Sequence, residues 1–177
     1  MKLGKFIEKL FFPSNVIAVA SVILIIYLIN SPYSLNHLIL FLTTIAVFLI
    51  VFKFSKRFKS ETKKYTYASS TALIIFIILL YFIQVSRDFL FAGLSMFFAN
   101  FLVHFIRDIW KISAHVLVYT VFCSTLSLIN TVFIFLFIFL PFVAWSRIKL
   151  KRHDLSQIIV ASVSGIIIPY TIHVLLY

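Results

Sequence analysis

The sequence predicts an all-α, polytopic integral membrane bundle of 6–7 transmembrane helices, and three features predict it. Hydrophobic residues make up 63% of the 177 positions and mean hydropathy is +1.12, more apolar surface than a soluble domain of this size needs. Apolar runs of about 18 residues or more recur along the chain, the length that crosses a bilayer as helix. The runs are continuous rather than alternating at period 2, which favours helices over barrel strands, the other way to pair every backbone group inside lipid.

The elements follow in order. Residues 1–12 read as a short amphipathic helix for the membrane interface, with Lys2, Lys5 and Lys9 on one face and Leu3, Phe6, Leu10 and Phe11 toward the other. This start has no small-residue cleavage site of a removed signal. Residues 13–177 form one transmembrane domain, without a second domain, internal repeat or low-complexity linker. Pro13, Ser14 and Asn15 break and cap, and Val16–Asn30 is a first span. Leu35–Phe54 is the second. A basic loop follows, with Lys53, Lys56, Arg57, Lys59, Lys63 and Lys64. Tyr67–Val85 is the third span, closed by Ser86, Arg87 and Asp88. Phe89–Ile106 is either a fourth span or a re-entrant segment, followed by a polar break from Arg107 to Lys111. Ile112–Ile129 and Thr131–Trp145 are the next runs, hinged tightly at Asn130 and near the lower length limit for spanning. The last helix runs from about Leu155 to Tyr177.

The net charge of +11, from 16 Lys and Arg against 5 Asp and Glu, reads as basic loops that set orientation and touch anionic headgroups. No soluble module remains to bind nucleic acid. With seven spans and a cytoplasmic N-terminus, 15 of the 16 basic residues fall inside and only Arg87 outside, so the positive-inside rule favours that arrangement in the cell membrane. With six spans the split is nine to seven. Cys123 is the only cysteine, which excludes an internal disulfide and thiolate zinc sites.

Two clusters carry ionisable groups where a membrane chain places them at a cost. One is Trp110–His115, WKISAH. The other is Ser146–Gln157, SRIKLKRHDLSQ. A helical hairpin between them puts His115 and His153 on the same membrane face. Lys111 and Arg147 supply charge, Ser113 a hydroxyl, and helix starts favour anions. Arg pairs bidentately with phosphate oxygens. His153 and Gln157, spaced i, i+4, share a helical face, so Gln157 can accept from one ring nitrogen and free the other for attack. The bland alternative is a basic loop that only holds two helices in place. His37, His104 and His173 read as packing or interfacial histidines, and Lys149, Lys151 and Arg152 as headgroup anchors. Ala161 and Gly165, at four-residue spacing after Gln157, indicate close helix packing.

These residues resemble the type-2 phosphatidic acid phosphatase superfamily, the metal-independent lipid phosphate phosphatases that share an active-site design with vanadium haloperoxidases. Ser146-Arg147, His153 and Gln157 reproduce the spacing of its motif S-R-x5-H-x3-D, with Gln157 in place of Asp. Ile112-Ser113-Ala114-His115 resembles P-S-G-H, keeping Ser and His. The K-x6-R-P motif is not recognisable, and the resemblance covers Lys111 to about Gly165. It implies His153 as the nucleophile forming a phosphohistidine and His115 as the acid for the leaving group. It places Gln157 as the orienting group, and Arg147, Ser113, Ser146 and Lys111 around the phosphate. No metal or other cofactor is implied, and the substrate would be a lipid phosphate or polyprenyl diphosphate. The alternative of a different class is a non-catalytic protein of the same fold that binds or moves phospholipid. Oligomeric state is left open. A small transporter is disfavoured because the spans lack paired buried charges and repeat symmetry.

Overall fold

The computed structural model describes residues 2–54, 61–106 and 109–177. These residues form helices and turns, with no strand among them. The helices are α1 (Lys2–Leu10), α2 (Pro13–Tyr27), α3 (Ser34–Phe54), α4 (Glu61–Phe82), α5 (Arg87–Ile106), α6 (Ala114–Ile129), α7 (Leu140–Lys149) and α8 (Leu155–Leu176). A 3-10 segment, Thr131–Phe139, leads directly into α7. Among the described residues, four stretches are long and apolar enough to cross a membrane: Ser34–Val51, Arg87–Ile106, Thr131–Lys149 and Leu155–Leu176.

Local chemistry sets the boundaries. Pro13 starts α2 because a first-turn position needs no N–H donor, so the helix begins ahead of the expected Val16. Asn15 ties α2 back to α1 by donating to the Lys9 carbonyl at 2.9 Å. α4 begins at Glu61, so Lys63 and Lys64 of the expected basic loop lie in a helix, while Lys56, Arg57 and Lys59 lie outside the described residues. Arg107 and Asp108 of the expected polar break also lie outside them. Asn130 turns the chain as expected, its Oδ1 accepting from Val132 N–H at 3.0 Å.

The sixth run departs from expectation. It does not stop at Trp145 but continues as helix to Lys149. Its first nine residues are 3-10, which rises about 2.0 Å per residue rather than 1.5 Å. The 3-10 and α-helical parts together reach about 33 Å, enough for a hydrocarbon core of about 30 Å. The threefold period also lines up Phe133 and Leu136 on the core, leaving Val132, Phe135 and Ile138 exposed.

α6 is short for a different reason. Every residue from Val116 to Leu126 is buried, so this helix is the centre of the bundle and is sheathed by protein. α2, α5, α8, α7 and the 3-10 segment pack around it. Its closest partner is α8: a Cβ added at Gly165 would stand 2.6 Å from Thr120 Cβ and 3.1 Å from the Leu117 carbonyl oxygen. That contact is the close approach expected at Ala161 and Gly165, and both residues are buried. Free Cys123 is buried in the same core.

Contacts sort the chain ends of the helices into two groups. At one end His37 accepts from Ser86 N–H, Asn36 donates to the Gln84 carbonyl, and the Tyr177 hydroxyl donates to Asp88. That end gathers the starts of α3 and α5 and the ends of α4 and α8. At the other end α1 packs on α7, and the start of α8 meets the segment before α6.

Candidate active site

α7 ends in a turn that the sequence does not advertise. Arg152 N–H donates to the Arg147 carbonyl at 3.0 Å and Lys151 N–H to the Ile148 carbonyl at 2.9 Å. This is a Schellman closure, with Lys151 in the left-handed region at φ 52° where glycine is usual. It reverses the chain at once. Asp154 then caps α8, its Oδ1 accepting from Gln157 N–H at 2.9 Å and from the Ser156 hydroxyl at 2.8 Å. These hydrogen bonds pull the fully exposed Asp154 carboxyl below its usual range. The expected anion-binding start of α8 is therefore already occupied by the chain's own carboxylate.

His153, held between these two devices, is oriented by two acceptors. Its Nδ1 lies 2.8 Å from Gln157 Oε1 and 3.2 Å from the Lys111 carbonyl oxygen. The carbonyl can only accept, so Nδ1 carries the proton and Nε2 holds the lone pair in the neutral ring. Burial holds the imidazole below its ordinary pKa. The Gln157 hydrogen bond acts in the opposite direction, and the Arg147 charge reinforces burial. The net effect favours the uncharged ring.

Arg147 faces inward from the last turn of α7 with Val143 and Ser146, all three buried. The helix reaching Lys149 is what places it there, rather than in a loop ahead of the last helix. Its Nη1 donates to Glu8 Oε1 of α1 at 2.6 Å, while its buried Nε has no partner among the described residues. Ser146 Oγ donates to the Val143 carbonyl at 2.7 Å, which engages its proton within α7.

Ser113 stands at the N-cap of α6 without capping it, and its buried Oγ has no partner among the described residues. The same holds for His115 Nε2. The edge of the Phe12 ring meets the His115 ring at 5.3 Å between centroids. His115, Arg147 and His153 lie within electrostatic reach of one another, and the exposed Lys111 lies within reach of His153. The structure thus gathers Lys111, Ser113, His115, Arg147, His153 and Gln157 at one end of the bundle.

Glu8 is the residue that sequence reasoning missed. It is one of only five acids in the chain and the only one among the lysines of α1, and that isolation was the available signal. Comparison with protein-family models, curated proteins and solved structures finds no match for the chain.

Proposed function

We propose that the chain is a metal-independent membrane lipid phosphatase that hydrolyses a lipid phosphate or isoprenoid diphosphate through a phosphohistidine. One observation carries the reading. Ser113 Oγ, His115 Nε2 and Arg147 Nε are buried and have no partner among the described residues, beside a histidine whose tautomer leaves Nε2 ready to attack. A buried polar atom without a partner costs about 1–3 kcal/mol, and a phosphate group supplies the missing acceptors together. The likeness of these positions to the two motifs of the type-2 phosphatidic acid phosphatases supports the same chemistry.

In this reaction the phosphate oxygens bind Arg147 and the Ser113 hydroxyl, with Lys111 adding charge. His153 Nε2 attacks phosphorus, the bond to the leaving oxygen breaks, and His115 gives that oxygen a proton. The incoming phosphate's negative charge is what favours a proton on His115. Water then attacks the phosphohistidine, His115 takes back a proton, and phosphate leaves with the His153 lone pair restored. Fixed cations stabilise the charge that develops on the oxygens.

The membrane arrangement that fits is seven crossings, by α2, α3, α4, α5, α6, the 3-10 segment with α7, and α8. The N-terminus and the site then face the cytoplasm, which agrees with the charge distribution. A second reading, binding or moving a phospholipid without hydrolysis, is favoured by Gln157, because a neutral group cannot stabilise an imidazolium as a carboxylate does. Phosphate release from a panel of lipid mono- and diphosphates, with EDTA present, separates the two. Release by the wild type that His153→Ala abolishes supports the phosphatase. Phosphate-lipid binding without release identifies the second reading.

A further inference from the structure

The contact that closes the site comes from α1. Glu8 Oε1 sits 2.6 Å from Arg147 Nη1 and 4.0 Å from Arg152 Nε. The Arg147 side chain is 6% exposed and that of Glu8 is 26%, so the pair lies at the rim with the guanidinium inside and the carboxylate at the opening. α1 touches the site at two more places: Gly4 faces Leu150 of the turn after α7, and Phe12, just beyond α1, meets His115.

α1 has a second character on its outer side. Leu3, Phe6 and Leu10 are 62%, 63% and 54% exposed along one stripe, and Lys5 and Lys9 are exposed on another. The helix turns Ile7 and Glu8 toward the protein while its apolar stripe needs lipid. α1 is held by lipid on one side and by the Glu8 pairings and the Gly4 and Ile7 contacts on the other, with Phe11 packed on Tyr119 just beyond its end, so it can swing about that anchor in the interface.

Resting on the phosphate-site reading, we propose that α1 is a lipid-seated lid whose Glu8 carboxylate holds the place of the substrate phosphate on Arg147. A phosphate group displaces it because it offers more acceptor oxygens, reaching Arg147 Nε and Ser113 Oγ, which the carboxylate leaves unpartnered. A partly buried ion pair is close to break-even against solvation, so the exchange has a low cost. α1 therefore keeps Arg147 paired when the site is empty and opens when a phosphate monoester or diphosphate arrives.

The test locks the lid reversibly. A Cβ built at Gly4 meets the Leu150 side chain, 3.6 Å from its Cγ, and these facing positions are joined by a disulfide between Gly4→Cys and Leu150→Cys, with Cys123→Ser to remove the native thiol. Binding of radiolabelled inorganic phosphate, and its displacement by phosphatidic acid in mixed micelles, is measured on the oxidised and the reduced forms of one sample. Loss of both on oxidation and recovery on reduction is the expected result. Displacement by phosphatidic acid identifies a lipid phosphate as the natural source, and displacement by free phosphate alone identifies a soluble one, with the lid acting in either case. Equal binding in both forms overturns the lid while leaving the phosphate site intact. No binding in the reduced form overturns the phosphate-site reading itself. In the unlocked protein, Glu8→Gln should bind phosphate about tenfold more tightly by removing the competing charge, and unchanged affinity would contradict the competition.

Discussion

At the far end of the bundle His37 is buried, stacked on Phe89 at 4.6 Å, and accepts from Ser86 N–H, while Tyr177 is tied to Asp88 and stacked on His173. At the near end the half-buried His115 has a buried Nε2 without a partner among the described residues, beside such atoms of Ser113 and Arg147. His37 Nδ1 also has no partner among the described residues, yet an aromatic ring stacks on this imidazole. The near end combines three such atoms with Lys111, Arg147 and Arg152. The difference teaches how to separate packing from chemistry in an apolar chain. One orphaned atom among rings is a packing cost, whereas several around a cation define the shape and charge of a missing ligand.

The largest contrast is between His153→Ala and Tyr177→Phe. His153→Ala should lower phosphate release by about a thousandfold or more while leaving the thermal midpoint nearly unchanged. Tyr177→Phe should do the reverse, costing about 1 kcal/mol or less of stability in a melting experiment and leaving release intact. Comparable losses of release in both would erase the distinction between the ends.

Arg147→Lys sharpens the contrast inside the near end. It keeps the charge and removes the planar pair of donors, so kcat/KM should fall about 10–100-fold. Full activity in that variant would show that charge alone suffices. Gln157→Asp tests the orientation of His153. Burial lowers the folded pKa of His153, so the acid limb of the rate profile should lie below the ordinary histidine value of 6.5. A carboxylate at this position favours the imidazolium, so the limb should move up by about one unit, and turnover should rise with it. A limb that does not move would mean His153 is not the titrating nucleophile. The smallest effect belongs to Lys151→Gly. A left-handed lysine costs roughly 1 kcal/mol, partly offset by the freer unfolded glycine, so the midpoint should rise slightly with release unchanged.

The helical membrane class was legible because continuous apolar runs report burial in lipid without any knowledge of packing. Asn130, the α6–α8 approach at Gly165 and the pairing of His153 with Gln157 were legible because each depends on local spacing. The extension of α7 through Lys149 was not, because Arg147 and Lys149 look like loop residues until the helix is seen to bury Arg147. The left-handed turn at Lys151 carries no glycine to announce it. Glu8 could not be placed because its partner lies 139 positions away, and only the docking of α1 on α7 joins them. The apolar side of α1 divides between two surroundings that spacing alone does not separate: Leu3, Phe6 and Leu10 face out, while Gly4, Ile7 and Phe11 face the bundle.

The central claim is that His153 becomes phosphorylated. It is tested most directly by mixing the detergent-purified protein with a lipid monophosphate labelled in the phosphate, quenching in alkali, and mapping the label by mass spectrometry. An acid-labile, alkali-stable phosphate on His153, present in the wild type and missing from His153→Ala, is the predicted result. Phosphate release with the label absent from His153, or carried on another residue, would contradict it.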